Sequence, residues 1–353
     1  MLTRRRWLAQ SVAMMPAGLA AAQSALSFEH LPFERIDTHV HLNRLSRPII
    51  TGLRMSGWKV LSICVSRATG DNPSDLDAQL RGTAEMHRES RGCVAWAGSF
   101  DARRWQDPDF ASSTIAALEQ QFRKGAIAVK IWKNIGMSLR NTGGYVMPDD
   151  VAFQPVYELL QKEDRTLIAH LAEPNGAWMP LGPNNPEDDF YSSHREWYMY
   201  GRPDAPSKES ILQARDRVIA RYPKLRVVGC HLGSNEEDLN ALAARLDRLP
   251  SFAVDLAARV RYLAADDREK AREFLIKYQD RITYGTDFTL GRDGDDQKAW
   301  SDLAEQHDRD WKYFSSPGAL TYDERNVRGL GLPSDVLKKI FRDNAVRWFP
   351  GIA

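Results

Sequence analysis

The chain has 353 residues, 43% of them hydrophobic, with 48 Lys and Arg against 47 Asp and Glu for a net charge of +1. That balance removes the electrostatic case for a nucleic-acid partner. The apolar content is ample for the core of one large or two small domains.

The chain opens on the basic "TRRRWLAQ" (3–10), followed by the apolar "SVAMMPAGLAAAQSA" (11–25). A basic start, a short apolar stretch and the small run Ala20, Ala21, Ala22 predict a signal peptide over residues 1–22. Arg4-Arg5 before Trp7-Leu8 resembles the twin-arginine export signal. The remainder, 23–353, is then a single periplasmic or otherwise exported domain, with an uncleaved membrane anchor as the alternative. No other stretch reaches the roughly 18 apolar residues of a membrane helix, so no membrane contact is expected after cleavage. Cys64, Cys93 and Cys230 fall in predicted strands and read as buried thiols, without the paired spacing of a structural zinc site.

From residue 34, β-rich runs alternate with helical patterns. The strands are predicted at 34–41, 59–66, 93–100, 126–132, 166–171, 226–232, 252–258 and 281–288. Helical spacing marks 112–125, with Gly125 as C-cap, then 209–223, 235–250 and 333–349, with Ser334 as N-cap. Eight strands separated by helices predict an α/β fold, a (β/α)₈ TIM barrel. An open doubly wound sheet is the runner-up, but no Gly-rich phosphate loop follows the first strand. Two long insertions follow strands five and eight. Residues 173–208 hold Trp178, Phe190, Tyr191, Trp197, Tyr198 and Tyr200; residues 289–332 hold Trp300, Trp311, Tyr313 and Phe314. At a barrel's catalytic mouth, such loops read as lids; packing against neighbouring helices is the competing reading.

"RIDTHVHL" (35–42) places Asp37, His39 and His41 on one face by the period of two, opposite Ile36, Val40 and Leu42. Alone, the pair reads as ordinary hydrogen-bonded histidines. It has company: Lys130, His170, His231 and Asp287 stand near the carboxyl ends of strands four, five, six and eight. Parity puts Lys130 with Ala128, His170 with Ile168, His231 with Gly229 and Val227, and Asp287 with Gly285, faces assigned to the barrel interior. Unpaired ionisable groups there are costly, and one shared divalent cation compensates them together. Three imidazoles and a carboxylate suit zinc or a similar first-row metal. Asp287 can bind the cation and take a proton from activated water; His231 can complete the site or polarise substrate; Asp37 is a supporting partner. Substrate-binding candidates are Arg259 and Arg261 beyond strand seven, Lys133 (with Asn134) beyond strand four, and Glu173, Trp178 and His194 beyond strand five.

"DTHVHL", "AVKIW", "IAHLAEP", "GCHLGS", "YGTDF" and the closing "RDNAVRWF", in this order on these strands, resemble the amidohydrolase superfamily in its amidohydrolase-2 branch. The resemblance implies that His39, His41, His170 and Asp287 hold the metal and that Asp287 shuttles the proton. It makes His231 a ligand in a two-metal layout and a catalytic histidine in a one-metal layout. In the two-metal layout Lys130 is carboxylated and bridges the ions; otherwise it is an amine paired with Asp287 or Glu173. Hydrolysis of a lactone, ester or amide of a small, carboxylate-compatible substrate is the leading expectation, with one or two zinc ions per chain. Non-oxidative decarboxylation of an aromatic or muconate-like acid is the alternative, and a non-catalytic periplasmic binding protein the least favoured. A homodimer stays open, since no interface stripe is visible.

Overall fold

The computed structural model describes residues 33–67 and 75–353; the expected export signal lies outside them. Eight strands pair in parallel, each with the next: β1 (Arg35–His41), β2 (Trp58–Ile63), β3 (Val94–Ser99), β4 (Ala126–Ile131), β5 (Thr166–Ala169), β6 (Val227–Gly229), β7 (Phe252–Asp255) and β8 (Ile282–Thr283). A short β9 (Phe288–Thr289) pairs in parallel with β1 at the opposite edge. β8 and β9 are two pieces of one extended run. Between them Thr38 N–H donates to Tyr284 O and Asp287 N–H to His39 O, both at 2.8 Å. The ladder thus closes on itself into a barrel without a free edge.

Each barrel strand leads into a helix that carries the chain back: α1 (Arg47–Ser56), α2 (Leu76–Ser90), α3 (Phe110–Arg123), α4 (Gln154–Lys162), α5 (Lys208–Arg221), α6 (Leu239–Arg248), α7 (Arg268–Lys277) and α8 (Asp296–Ser315). Gly125 follows the end of α3 at φ 98, where a side chain would be strained, and its N–H closes the last turn onto Phe122 O. Among the described residues no helix is long and apolar enough to cross a membrane.

The strands are buried on both faces, which is why they read as apolar runs. One layer, with Val40, Val60, Val129, Leu167 and Val254, packs against the helices. A second, with Ile36, Leu61, Ala97, Ile168, Val228 and Ala253, fills the barrel, and Trp348, Phe349 and Ile352 pack into it. These last three close the amino-terminal end: Trp348 Nε1 donates to Asp280 O just before β8. The expected single helix over 333–349 is instead three pieces, Ser334–Lys338, a π turn Lys339–Asp343 and Asn344–Trp348. Pro333, in extended conformation, takes the cap position expected of Ser334.

The rings of 289–332 pack into the helical shell. Trp300 lies so close over α1 that a Cβ on Gly52 would meet it at 2.1 Å. Trp311 stands edge-on to Phe341, and Tyr313 and Phe314 are buried. In the 173–208 segment Tyr191 and Trp197 are buried and Tyr200 is exposed, while Trp178 Nε1 donates to Pro206 O within the segment.

Candidate metal centre

β1 presents its histidines through an irregularity. Asp37 pairs with Val60, but Val40 pairs with Ser62, so three steps on β1 match two on β2. The bulge breaks the alternation. His39 and His41 turn into the barrel, while Asp37 turns out towards α8, where its Oδ2 accepts from Thr286 Oγ1 (2.7 Å) and His307 Nε2 (3.0 Å). The expectation that Asp37 shares the histidine face is therefore corrected. It supports the site from behind, accepting the backbone N–H of His39 (3.0 Å) and of Thr286 (3.2 Å).

The parity expected of β6 also fails. Val228 and Cys230 face the interior, and Val227 faces the helices. His231 enters the site because β6 ends at Gly229 and the chain turns left-handed at His231, φ 59. The expected continuous strand 281–288 likewise breaks, leaving Asp287 left-handed at φ 66. Ala172 and Ala258 adopt the same conformation past β5 and β7. A non-glycine residue in that region costs roughly 1–2 kcal/mol. With Leu232 and Ser234 beside His231, six such positions follow the four consecutive strands β5 to β8 and concentrate backbone strain there, a pattern associated with function.

The centre is defined by Asp287 Oδ1, with His41 Nε2 at 3.3 Å and His39 Nε2 at 3.4 Å. The far nitrogen of each ring is anchored: His41 Nδ1 donates to Ile63 O (2.7 Å), His231 Nδ1 to Ala257 O (2.8 Å) and His39 Nδ1 to Asp255 Oδ2 (2.8 Å). A carbonyl only accepts, so Nδ1 of His41 and His231 carries the hydrogen and Nε2 keeps its lone pair. The ligand atoms of His39, His231 and Asp287 all lie within 4.8 Å of one another. His170 stands beside them, its ring 4.3 Å from that of His231, with Nε2 3.9 Å from Glu173 Oε1.

The electrostatics follow from burial. Burial holds His41 and His170 below their ordinary range and His231 down to about 3, so all three are neutral. Burial and Lys130 would lower His39 as well, but Asp255 outweighs both and carries it to about 10. Burial would raise the Asp287 carboxyl, but the imidazoles of His41, His231 and His39 around it hold it well below the usual range. The neutral imidazoles of His41, His170 and His231 and the ionised Asp287 carboxylate, joined by His39 once a cation displaces its proton, form a donor set that fits a divalent cation.

Lys130 is buried, with Nζ 2.8 Å from Cys230 Sγ and 3.4 Å from His39 Nε2. It pairs with neither Asp287 nor Glu173 among the described residues. Glu173 is held instead by Lys133 Nζ and by Tyr191 OH (3.0 Å). Asn134 is buried beside Lys133, its Oδ1 accepting Ile135 N–H at 3.1 Å. His194 stacks on Phe190 at the surface, 4.2 Å between rings. Arg259 and Arg261 line a cleft of about 310 Å³ with Asp287, Gln306, Arg309 and Tyr322. Burial would lower Arg259, but Glu236, Tyr262, Glu173 and Glu187 raise it, so it is fixed as a cation. Its Nε lies 3.7 Å from Glu236 Oε1, outside hydrogen-bond reach, and Arg261 pairs with Glu187 at 3.2 Å.

Two features escape a reading of the sequence. Asp255 ends the apolar "FAVD" as its one charged residue, a signal that was available. Arg309 sits on α8 within a charged helical pattern, where nothing marks it. Gly285 shows how tight the centre is, since a Cβ there would meet His39 Cβ at 2.9 Å. Gly285→Ala is expected to displace His39 and weaken metal affinity by about tenfold or more, read by titration against a chelator, with the far-ultraviolet spectrum unchanged.

No curated protein matches the chain. The structure of 2,6-dihydroxybenzoate decarboxylase from Rhizobium is 12% identical, with 90% of this chain and 98% of that one covered at a TM-score of 0.51. A dihydroxybenzoic acid decarboxylase from Polaromonas sp., solved with manganese and 2-nitroresorcinol, matches at 12% identity over 90% of this chain and 97% of that one, TM-score 0.51. At such identity the likeness speaks for the fold alone. A model of the amidohydrolase family covers residues 36–351, from the first barrel strand to the helix that closes the barrel. The chain belongs to the amidohydrolase superfamily of enzymes, in its amidohydrolase-2 branch.

Proposed function

We propose that the chain is a metal-dependent hydrolase acting on a lactone, ester or amide of a small anionic substrate, with one zinc-like cation per site. The observation that carries this is the convergence of His39 Nε2 and His41 Nε2 on Asp287 Oδ1 while both Nδ1 atoms are tied to protein acceptors. His39, His41 and Asp287 would hold the cation, with His231 and His170 beside them. When bound, a divalent cation supplies Lewis-acid polarisation of a substrate oxygen and acidifies water.

The remaining work belongs to the side chains. Asp287, held ionised, would be the residue that takes a proton from the attacking water and passes it to the leaving group. Neutral His231, with its hydrogen on Nδ1 facing Ala257 O, offers only an acceptor to the site. It suits ligation or transient protonation better than donation to a carbonyl oxygen. Arg259, Arg261 and Arg309 line the cleft that holds Asp287, together with Asp310 and Asp323, and the guanidinium groups supply hydrogen-bond donors for a substrate carboxylate. The Trp132–Trp197 pair beside Lys133 forms an aromatic wall, 4.8 Å between rings, that would cover the mouth as part of a lid. The proposal extends to an exported protein, with the signal over residues 1–22.

The same arginines favour a second reading, decarboxylation of an aromatic or muconate-like acid. A panel of lactones, aryl esters, aryl amides and aromatic acids, run in ¹⁸O water with and without chelator, separates the two. Chelator-sensitive labelling of an acid product is expected. Carbon dioxide release without label would overturn hydrolysis in favour of decarboxylation.

A further inference from the structure

Lys130 comes from β4 and Cys230 from the end of β6, strands separated by β5, yet Nζ and Sγ lie 2.8 Å apart. Both residues are sealed, at 1% and 0% exposure. The other two thiols have ordinary partners, Cys64 facing the Thr83 hydroxyl (3.4 Å) and Cys93 the Ser90 carbonyl (3.5 Å). An amine held against a thiol, with no carboxylate pairing it among the described residues, is not needed for the hydrolysis proposed above.

We propose that this pair is an oxidation site, at which hydrogen peroxide or a similarly small hydroperoxide joins Nζ to Sγ through one oxygen atom. One peroxide oxidises the Cys230 thiol to a sulfenic acid and is reduced to water. A second oxidises the Lys130 amine to a hydroxylamine, again releasing water. Condensation of the two then expels a third water and leaves Nζ–O–Sγ. The sum is one amine, one thiol and two peroxides giving the bridge and three waters. The 2.8 Å separation leaves room for a bridging oxygen without moving either strand. Nζ is also 3.4 Å from His39 Nε2, so the pair lies against the candidate metal centre. The bridge withdraws the Lys130 charge from beside His39 and ties β4 to β6. Reversal takes four electrons and four protons: one dithiol cleaves the bridge to thiol and hydroxylamine, and a second reduces the hydroxylamine to the amine and water.

The test is a tryptic peptide map of full-length, metal-loaded protein after hydrogen peroxide. The expected product joins the Lys130 and Cys230 peptides at about 14 Da above their summed mass, one oxygen gained and two hydrogens lost. Cleavage after Lys130 is lost, dithiothreitol restores it, and Cys230→Ser and Lys130→Arg do not form the product. If either variant fails to fold, the wild-type map decides alone. Met55, 80% exposed, reports that the oxidant acted. With Met55 oxidised, an unmodified Cys230 overturns the proposal. So does a Cys230 sulfinic acid with normal cleavage after Lys130, or a joined pair about 2 Da lighter from a direct N–S bond.

Discussion

Asp287→Asn is expected to lower kcat by about a thousandfold on whichever substrate the panel identifies, without loss of fold. Asp287 Oδ1 is the atom on which the His39 and His41 nitrogens converge, and its side chain opens to the cleft. An asparagine keeps the volume and one acceptor but removes both the anionic donor and the proton acceptor. Its left-handed conformation, φ 66, is one that asparagine adopts readily, so the backbone should hold. Initial rates at saturating substrate, paired with metal analysis, check this. A variant that keeps its metal and loses kcat assigns Asp287 to proton transfer. One that retains wild-type kcat removes Asp287 from the chemistry.

The second large effect is expected at Asp255. Asp255→Asn should weaken metal affinity by about 10- to 100-fold, the usual consequence of removing the carboxylate behind a ligating imidazole. Asp255 Oδ2 fixes the His39 ring at 2.8 Å, while Oδ1 accepts the N–H of His231 (2.7 Å) and of Ala257 (3.1 Å). One carboxylate therefore orients two of the candidate ligands. Its own carboxyl resists burial: burial would raise it, but His39 pairs with it and holds it at about 2. An amide in its place must turn one N–H towards an existing donor, so at least one of these three bonds is lost. Competition with a chelator of known affinity measures the effect. An unchanged affinity would show that Asp255 braces the fold and does not tune the centre.

The barrel was legible because its strands are buried on both faces. "AIAVKI" and "FAVD" read as apolar runs, with helical spacing between them, and eight such runs close a cylinder. The ends of the strands were not. Alternation predicts a face only while the ladder is regular, and β1 bulges at Asp37–Val40 while β6 stops at Gly229 before His231 turns. Alternation therefore misplaces Asp37, and it brings His231 inward for the wrong reason, since Val227 on the same parity faces the helices. Contacts set by closure were beyond reach: Asp255 meets His39 across 216 positions, Lys130 meets Cys230 across 100, and His307 meets Asp37 across 270. No local pattern encodes such pairings; they exist once the cylinder forms.

The central claim is that side chains from β1 and from the break after β8 share one cation. Anomalous diffraction at the zinc edge from crystals of zinc-loaded protein tests it most directly. The account predicts a peak within about 2.0–2.2 Å of His39 Nε2, His41 Nε2 and an Asp287 oxygen. A zinc peak elsewhere in fully loaded crystals, with those three atoms bound to nothing, would contradict it.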